Sequence, residues 1–289
     1  MTVHDRTLGL RTMSLMERPV DQNARLADNR CAFDSVAADY DGPRGNNALI
    51  QRMRDEMWRA VTRTFPAGSR LLDLGCGTGL DAVHLAGLGY DVLATDWSPK
   101  MVERTRVRAR QAGLGHRVNV AVLGIQELER LSGDQFDGIY SNLGPLNCVT
   151  DMDTVARDCA SLLRPGGRIV VSVIGRICPW EYAYYTLRGN PARARLRFAQ
   201  GPVPINLNRH TLWAAYYGPR EFYHAFARQF RLSRYRGLCL FLPPPYLIDY
   251  WARWPRLGSL LGWLDDRLGA LPLLREAGDH FLMTLTKND

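Results

Sequence analysis

The stretch that most constrains this chain is residues 71–79, LLDLGCGTG. Leu71, Leu72 and Leu74 form a short apolar run suited to a buried parallel strand, with Asp73 near its end and Gly75, Gly77 and Gly79 at alternate positions beyond it. A helical pattern, LDAVHLAGLGY, follows at once. Glycines at a strand-to-helix turn let the backbone bend tightly and let a ligand approach without meeting a Cβ. Two nucleotide motifs are excluded. A dinucleotide fingerprint would need its third glycine at position 80, which is Leu80, and a phosphate loop needs Gly-Lys-[Ser/Thr], whereas Gly79 is followed by Leu80 and Asp81. The Asp73 carboxylate would also repel a pyrophosphate, while it suits a ligand with positive charge or hydroxyl donors. The next strand pattern, in DVLATDWSPKM, ends at Asp96, 23 residues after Asp73. An acid at about that distance is where α/β folds grip ribose hydroxyls. Loop and acid together describe a site for a nucleoside carrying a cation.

Residues 73–79 resemble the D/E-x-G-x-G-x-G loop of the class I S-adenosylmethionine (SAM)-dependent methyltransferases of small-molecule type, and Asp96-Trp97-Ser98-Pro99-Lys100-Met101 resembles their second motif. FDGIYSN and LLRPGGRIVVSV follow in the family's order, so the resemblance runs over residues 33–175. It implies an α/β fold with a doubly wound, seven-stranded, mainly parallel, Rossmann-like sheet whose last strand is antiparallel. It further implies SAM as the cofactor, held by Asp73, Gly75, Cys76, Gly77, Gly79, Asp96 and Trp97. Cys76 reads as a small filler in the loop rather than a nucleophile. After the third strand, RVNVAVLGI, the family places an acid at the adenine edge. Here that place holds Gly124 or Ile125, which leaves Gln126, Glu127 or a backbone group to make the contact. The tyrosine of the family's F-D-x-x-A-x-x-Y-D string, near the methionine end of SAM, maps to Tyr40, which can equally pack as a core aromatic. Asn142 ends FDGIYSN and can offer its amide to the methionyl group or to an acceptor. The following SNLGPLN departs from [DNS]-P-P-[FY], which argues against a DNA adenine as substrate.

Residues 1–28 are polar and aperiodic and read as a flexible lead-in to a single SAM-binding α/β domain over 29–289. An N-terminal cap is expected over about 29–65, and two insertions, about 176–218 and 243–278, are expected to form a helical lid over the cofactor mouth. The first is rich in aromatics, among them Trp180, Tyr184, Tyr185, Trp213 and Tyr216. A net charge of +8 raises the question of nucleic acid, but 35 of the 37 basic residues are scattered arginines and no RNA-binding module is appended, so solvated helix faces are expected and a nucleic-acid partner is not. The six cysteines show no C-x-x-C pair and no ligand spacing with the histidines, so no metal is expected. No apolar run approaches the ~18 residues of a membrane span, and the N-terminus has no apolar signal core, so a cytoplasmic protein is expected.

The resemblance implies transfer of the SAM methyl group to a small-molecule acceptor, in specialised biosynthesis. An in-line displacement can be driven by positioning and exclusion of water. A nitrogen acceptor needs no base. An oxygen acceptor does, and His210, His224, Glu181 and Tyr40 are the titratable candidates. A second reading makes SAM itself the substrate, as in azetidine-2-carboxylate synthases, with ring closure releasing methylthioadenosine and no acceptor besides SAM. In either reading Asn142, Tyr40, Tyr184 and Tyr185 are the candidate catalytic residues, the rings solvating the sulfonium by cation–π attraction.

Overall fold

The computed structural model describes residues 21–249, 253 and 255–288. Nine strands are defined among them: β1 (Arg70–Leu74), β2 (Asp91–Asp96), β3 (Val118–Val122), β4 (Phe136–Ser141), β5 (Leu163–Ile174), β6 (Val203–Leu207), β7 (His210–Ala214), β8 (Phe230–Leu238) and β9 (His280–Lys287). Seven form one sheet in the order β3-β2-β1-β4-β5-β9-β8. β1 to β5 run parallel, and β9 lies antiparallel between β5 and β8. The expected doubly wound sheet with an antiparallel last strand is present.

Alternation along the strands builds a core on each face. Leu71, Val92, Ala94 and Val170 pack with Leu49, Met53 and Met57 of α2 (Ala48–Thr64) and with Ala82 and Leu85 of α3 (Leu80–Gly87). Leu72, Ile139, Ile169 and Val171 pack on the other face with Val155 and Cys159 of α5 (Met152–Leu162) and with Phe222 and Phe226 of the helix Pro219–Phe226. Helix starts are set locally. The Asn47 side chain accepts from the N–H groups of Leu49 and Ile50 at the head of α2, and Ser98 accepts from Met101 N–H at the head of α4 (Pro99–Gln111). Gly138 in β4 leaves room for Phe65, whose ring carbon would lie 2.2 Å from a Cβ there.

Three expectations about the appendages change. The helix α1 (Gln22–Val36) starts inside the segment expected to be a loose lead-in, and residues 1–20 lie outside the described residues. The first insertion is only partly helical. After α6 (Pro179–Leu187) and a single turn at Pro191–Ala194, β6 and β7 form a hairpin. Val203, Ile205 and Leu207 alternate with Pro204 and Asn206, and Asn208 and Arg209 both take positive φ (51° and 67°), the backbone that a two-residue hairpin turn requires. In its described residues the second insertion lies against the body. Its helix Pro255–Leu268 packs against α2 and the end of β8, where the Asp265 carboxylate accepts from Leu240 and Phe241 N–H at 2.9 and 2.8 Å. None of its described residues lines the pocket at the strand ends.

Candidate active site

The pocket opens at the carboxyl ends of β1, β2 and β4, where a parallel sheet presents its loops. Its volume is about 300 Å³. The glycine loop is strapped to β2: Gly75 and Cys76 N–H both donate to the Thr95 carbonyl at 2.9 Å, and the Thr105 hydroxyl donates to the Gly77 carbonyl at 2.9 Å. The three glycines do different things. At Gly75 (φ +75°) a Cβ would meet Pro145 at 2.3 Å, and at Gly79 (φ +82°) it would meet Thr105 at 2.6 Å, so these two serve packing. Gly77 (φ +54°) faces the pocket opposite Tyr40.

Asp96 ends β2 with both carboxylate oxygens in use: Oδ2 accepts from Gly77 N–H at 2.9 Å and Oδ1 from Ser98 N–H at 2.8 Å. Burial nevertheless pushes its pKa up to about 6, against the lowering effect of those two bonds. Asp73, beneath the loop, is held well above the ordinary carboxylate range by burial and by the neighbouring Asp81 charge. Asp81 in the first turn of α3 accepts from Arg54 at 2.6 Å, from Trp58 Nε1 at 2.8 Å and from Asn142 Nδ2 at 3.1 Å. This leaves Arg54 Nε, Asn142 Oδ1 and Asp73 Oδ2 buried without a hydrogen-bond partner. Native interiors rarely leave so many polar atoms unmatched in one place, and such a cluster points to a polar ligand. Gln126 Nε2 is similarly unmatched farther along the pocket.

Two elements roof the site. Leu26, Asn29, Arg30 and Phe33 of α1 line one side, and Ile205, Leu207, Leu212 and Ala214 of the hairpin line the other. Asn147 holds the hairpin base: its side chain donates to the carbonyls of Ile174 and Ala215 at 3.1 and 2.7 Å and accepts from Ile174 N–H at 2.9 Å.

Of the residues expected from sequence, Tyr40, Gly75, Cys76, Gly77, Asp96, Trp97, Gln126 and Asn142 line this one pocket. Asp73 and Gly79 support it from outside the lining. Glu127 faces elsewhere, accepting from Gly124 N–H at 3.0 Å and from Arg130 at 3.1 Å. Tyr184 and Tyr185 stand on α6, edge to face with each other at 5.1 Å and outside the lining. Of the titratable candidates, His210, His224 and Glu181 are also outside it; Glu181 is buried in an ion pair with Arg197 at 2.7 Å and accepts from the Tyr246 hydroxyl at 2.7 Å. Arg54, Asp81, Asn147 and Asn29 were not singled out in the sequence. Their only local signal is polar residues on otherwise apolar helix faces.

This sheet order and glycine loop are those of the fold shared by solved SAM-dependent methyltransferases. Residues 71–167, about a third of the chain, match the family model described as Methyltransferase domain. The ubiquinone biosynthesis O-methyltransferase of Xanthomonas axonopodis pv. citri (strain 306) is 35% identical over 138 residues, which is 48% of this chain and 56% of that protein. The chain thus spans little more than half the length of that curated relative. Among solved structures, an S-adenosylmethionine dependent methyltransferase from Listeria monocytogenes superposes with a TM-score of 0.57 at 17% identity, covering 82% of this chain and 98% of that one. The [4+2]-cyclase SpnF superposes with a TM-score of 0.58 at 19% identity, covering 93% and 97%. These two likenesses are likenesses of fold.

Proposed function

We propose that the chain binds SAM in this pocket and transfers its methyl group to a small, largely apolar acceptor. The observation that carries the reading is Asp96 at the end of β2, beside Gly77 and opposite the unmatched cluster of Arg54, Asn142 and Asp73. Asp96 accepts from the ribose hydroxyls. Asn142 Oδ1 accepts from the methionyl ammonium, Arg54 draws the methionyl carboxylate, Gln126 supplies the adenine-edge contact in place of the family's acid, and Asp73 supports the loop from beneath. Bound SAM supplies an electrophilic methyl group on a sulfonium, and displacement by the acceptor's lone pair leaves S-adenosylhomocysteine.

The side of the pocket toward the hairpin decides the acceptor's character. Val149, Ile174, Ile205, Leu207 and Leu212 line it without a carboxylate or histidine, and Cys148 has its thiol pushed up to about 12 by burial. Tyr40, the titratable candidate in the lining, has its hydroxyl pushed up by burial, so the chain contributes an oriented chamber rather than a base. An amine acceptor meets that condition directly. A hydroxyl acceptor, of the kind named for the ubiquinone biosynthesis relatives, must be acidic in its own right, as a phenol is. A role in small-molecule biosynthesis fits the same chamber. The alternative of SAM cyclisation relied on Tyr184 and Tyr185 around the sulfonium, and their position outside the lining removes that support.

The test is incubation of the purified chain with SAM carrying a deuterated methyl group, alone and with a panel of apolar phenols and amines, followed by mass spectrometry. Methyl transfer predicts no turnover with SAM alone and labelled product plus S-adenosylhomocysteine with an accepted substrate. Methylthioadenosine formed from SAM alone would establish cyclisation instead, and SAM left intact across the panel would count against transfer to these acceptor classes.

A further inference from the structure

The helix Pro255–Leu268 carries leucines on both sides: Leu261, Leu264 and Leu268 are half-buried toward the body, Leu261 against the core. Against the body it buries Gly258, Gly262 and Asp265, positions that share one face at helical spacing. Gly262 belongs there sterically, since a Cβ would sit 3.3 Å from the Arg52 guanidinium. The outward face is apolar as well: Leu257, Leu260 and Trp263 are 49%, 54% and 52% exposed, and Leu273 just beyond the helix is 83% exposed. A surface helix ordinarily buries its leucines and shows its small and polar residues to water. Large apolar side chains exposed together on one helix mark a surface that something covers.

The charges around the patch identify the cover. Arg256 and Arg267 are exposed on the same helix, Arg267 lying over the Trp263 ring at 5.3 Å. Both of the helix's carboxylates are engaged elsewhere: Asp265 with the Leu240 and Phe241 N–H groups, and Asp266 with Arg52 at 2.6 Å. Beyond the helix, Ala270 stands in the wall of an open groove of about 860 Å³ lined by Arg63, Arg168, Arg231 and Arg234, whose one carboxylate, Glu56, is paired with Arg236 at 2.9 Å.

We propose that this helix is an interfacial element that seats the protein on an anionic lipid surface. Leu257, Leu260 and Trp263 enter the boundary between headgroups and acyl chains, and Arg256 and Arg267 reach the lipid phosphates with their stems along the same boundary. No helix among the described residues is long and apolar enough to cross a membrane, so the contact is peripheral. The basic groove adds longer-range attraction to an anionic leaflet.

Co-sedimentation of the full chain with vesicles tests this directly. The chain should bind vesicles of equimolar phosphatidylcholine and phosphatidylglycerol, bind pure phosphatidylcholine far less, and be released progressively as salt is raised. The double variant Leu257→Ser/Leu260→Ser should lower the partition constant at least about tenfold, with melting temperature and SAM binding retained because both side chains are exposed. Should that variant fail to fold, quenching of tryptophan fluorescence by brominated acyl chains, compared between the parent and Trp263→Phe, reads the same insertion without touching the leucines. The proposal is overturned if the parent does not bind the anionic vesicles, if the folded double variant binds undiminished, or if the parent forms a concentration-dependent dimer that Leu260→Ser abolishes.

Discussion

Asn29 and Trp213, 184 residues apart, pair as neighbouring strands do: Trp213 N–H donates to Asn29 Oδ1 at 2.6 Å, and Asn29 Nδ2 donates to the Trp213 carbonyl at 3.0 Å. A side-chain amide here reproduces the donor and acceptor of a peptide unit. The Trp213 indole adds a bond to Asp28 at 2.9 Å. These contacts join α1 to the β6–β7 hairpin and close the roof of the pocket.

Replacing Asn29 by Ala removes both bonds and leaves the Trp213 peptide unmatched, at a cost of about 1–3 kcal/mol. The expected result is a lower melting temperature and faster SAM dissociation, followed by stopped-flow fluorescence. An unchanged dissociation rate would show that the roof is held elsewhere.

The buried Arg54–Asp81 pair makes a second prediction. Asp81→Asn leaves the Arg54 guanidinium buried without its counter-charge, which typically costs about 3–5 kcal/mol, whereas Asp81→Asn combined with Arg54→Leu removes the uncompensated charge and should recover much of that loss. Urea unfolding of the single and double variants measures both. SAM affinity should fall in each, since Arg54 and Asn142 are both organised by Asp81.

Asp96 sets the pH dependence. Its pKa without ligand is raised from 3.8 to about 6, so between those values the folded form holds a proton that the unfolded form has released. The ligand-free protein therefore loses stability from this group as pH rises through that window. In the proposed binding mode ribose hydroxyls donate to the ionised carboxylate, so SAM affinity is expected to move the other way, weakening as pH falls through about 6, and binding near that pH to release up to about half a proton. Calorimetry near that pH in buffers of different ionisation enthalpy reads the proton count. Proton uptake, or none, would contradict the assignment.

Tyr185→Leu should leave SAM affinity unchanged, because Tyr185 packs with Tyr184 and Arg193 away from the pocket. A loss of affinity above about threefold, beyond a surface substitution's usual reach of ~0.5 kcal/mol, would bring that ring back to the site.

What the sequence made legible is local. The loop at 73–79 and the acid at 96 act within one β-α-β unit, and the alternation of Leu71 and Leu72 between two cores follows from strand period alone. The hairpin was legible too, in the period-two run from Val203, but the aromatic content of that segment drew the reading toward helices. Asp81, Arg54 and Asn147 were not legible, because each acquires its meaning from partners 23 or more residues away that only the folded sheet brings close. The second insertion was misplaced for the same reason: its pattern shows an apolar helix but not that the glycine face is a buried one.

The central claim, that this pocket holds SAM through Asp96, is tested most directly by calorimetric titration of SAM into the parent, Asp96→Asn and Asp96→Ala. The parent should bind, and Asp96→Ala should bind more weakly by about 2–4 kcal/mol, the worth of two charge-assisted bonds, with Asp96→Asn between the two and the fold of both variants checked by circular dichroism. Equal affinity in the parent and in folded Asp96→Ala, or no SAM binding by the parent, would contradict it.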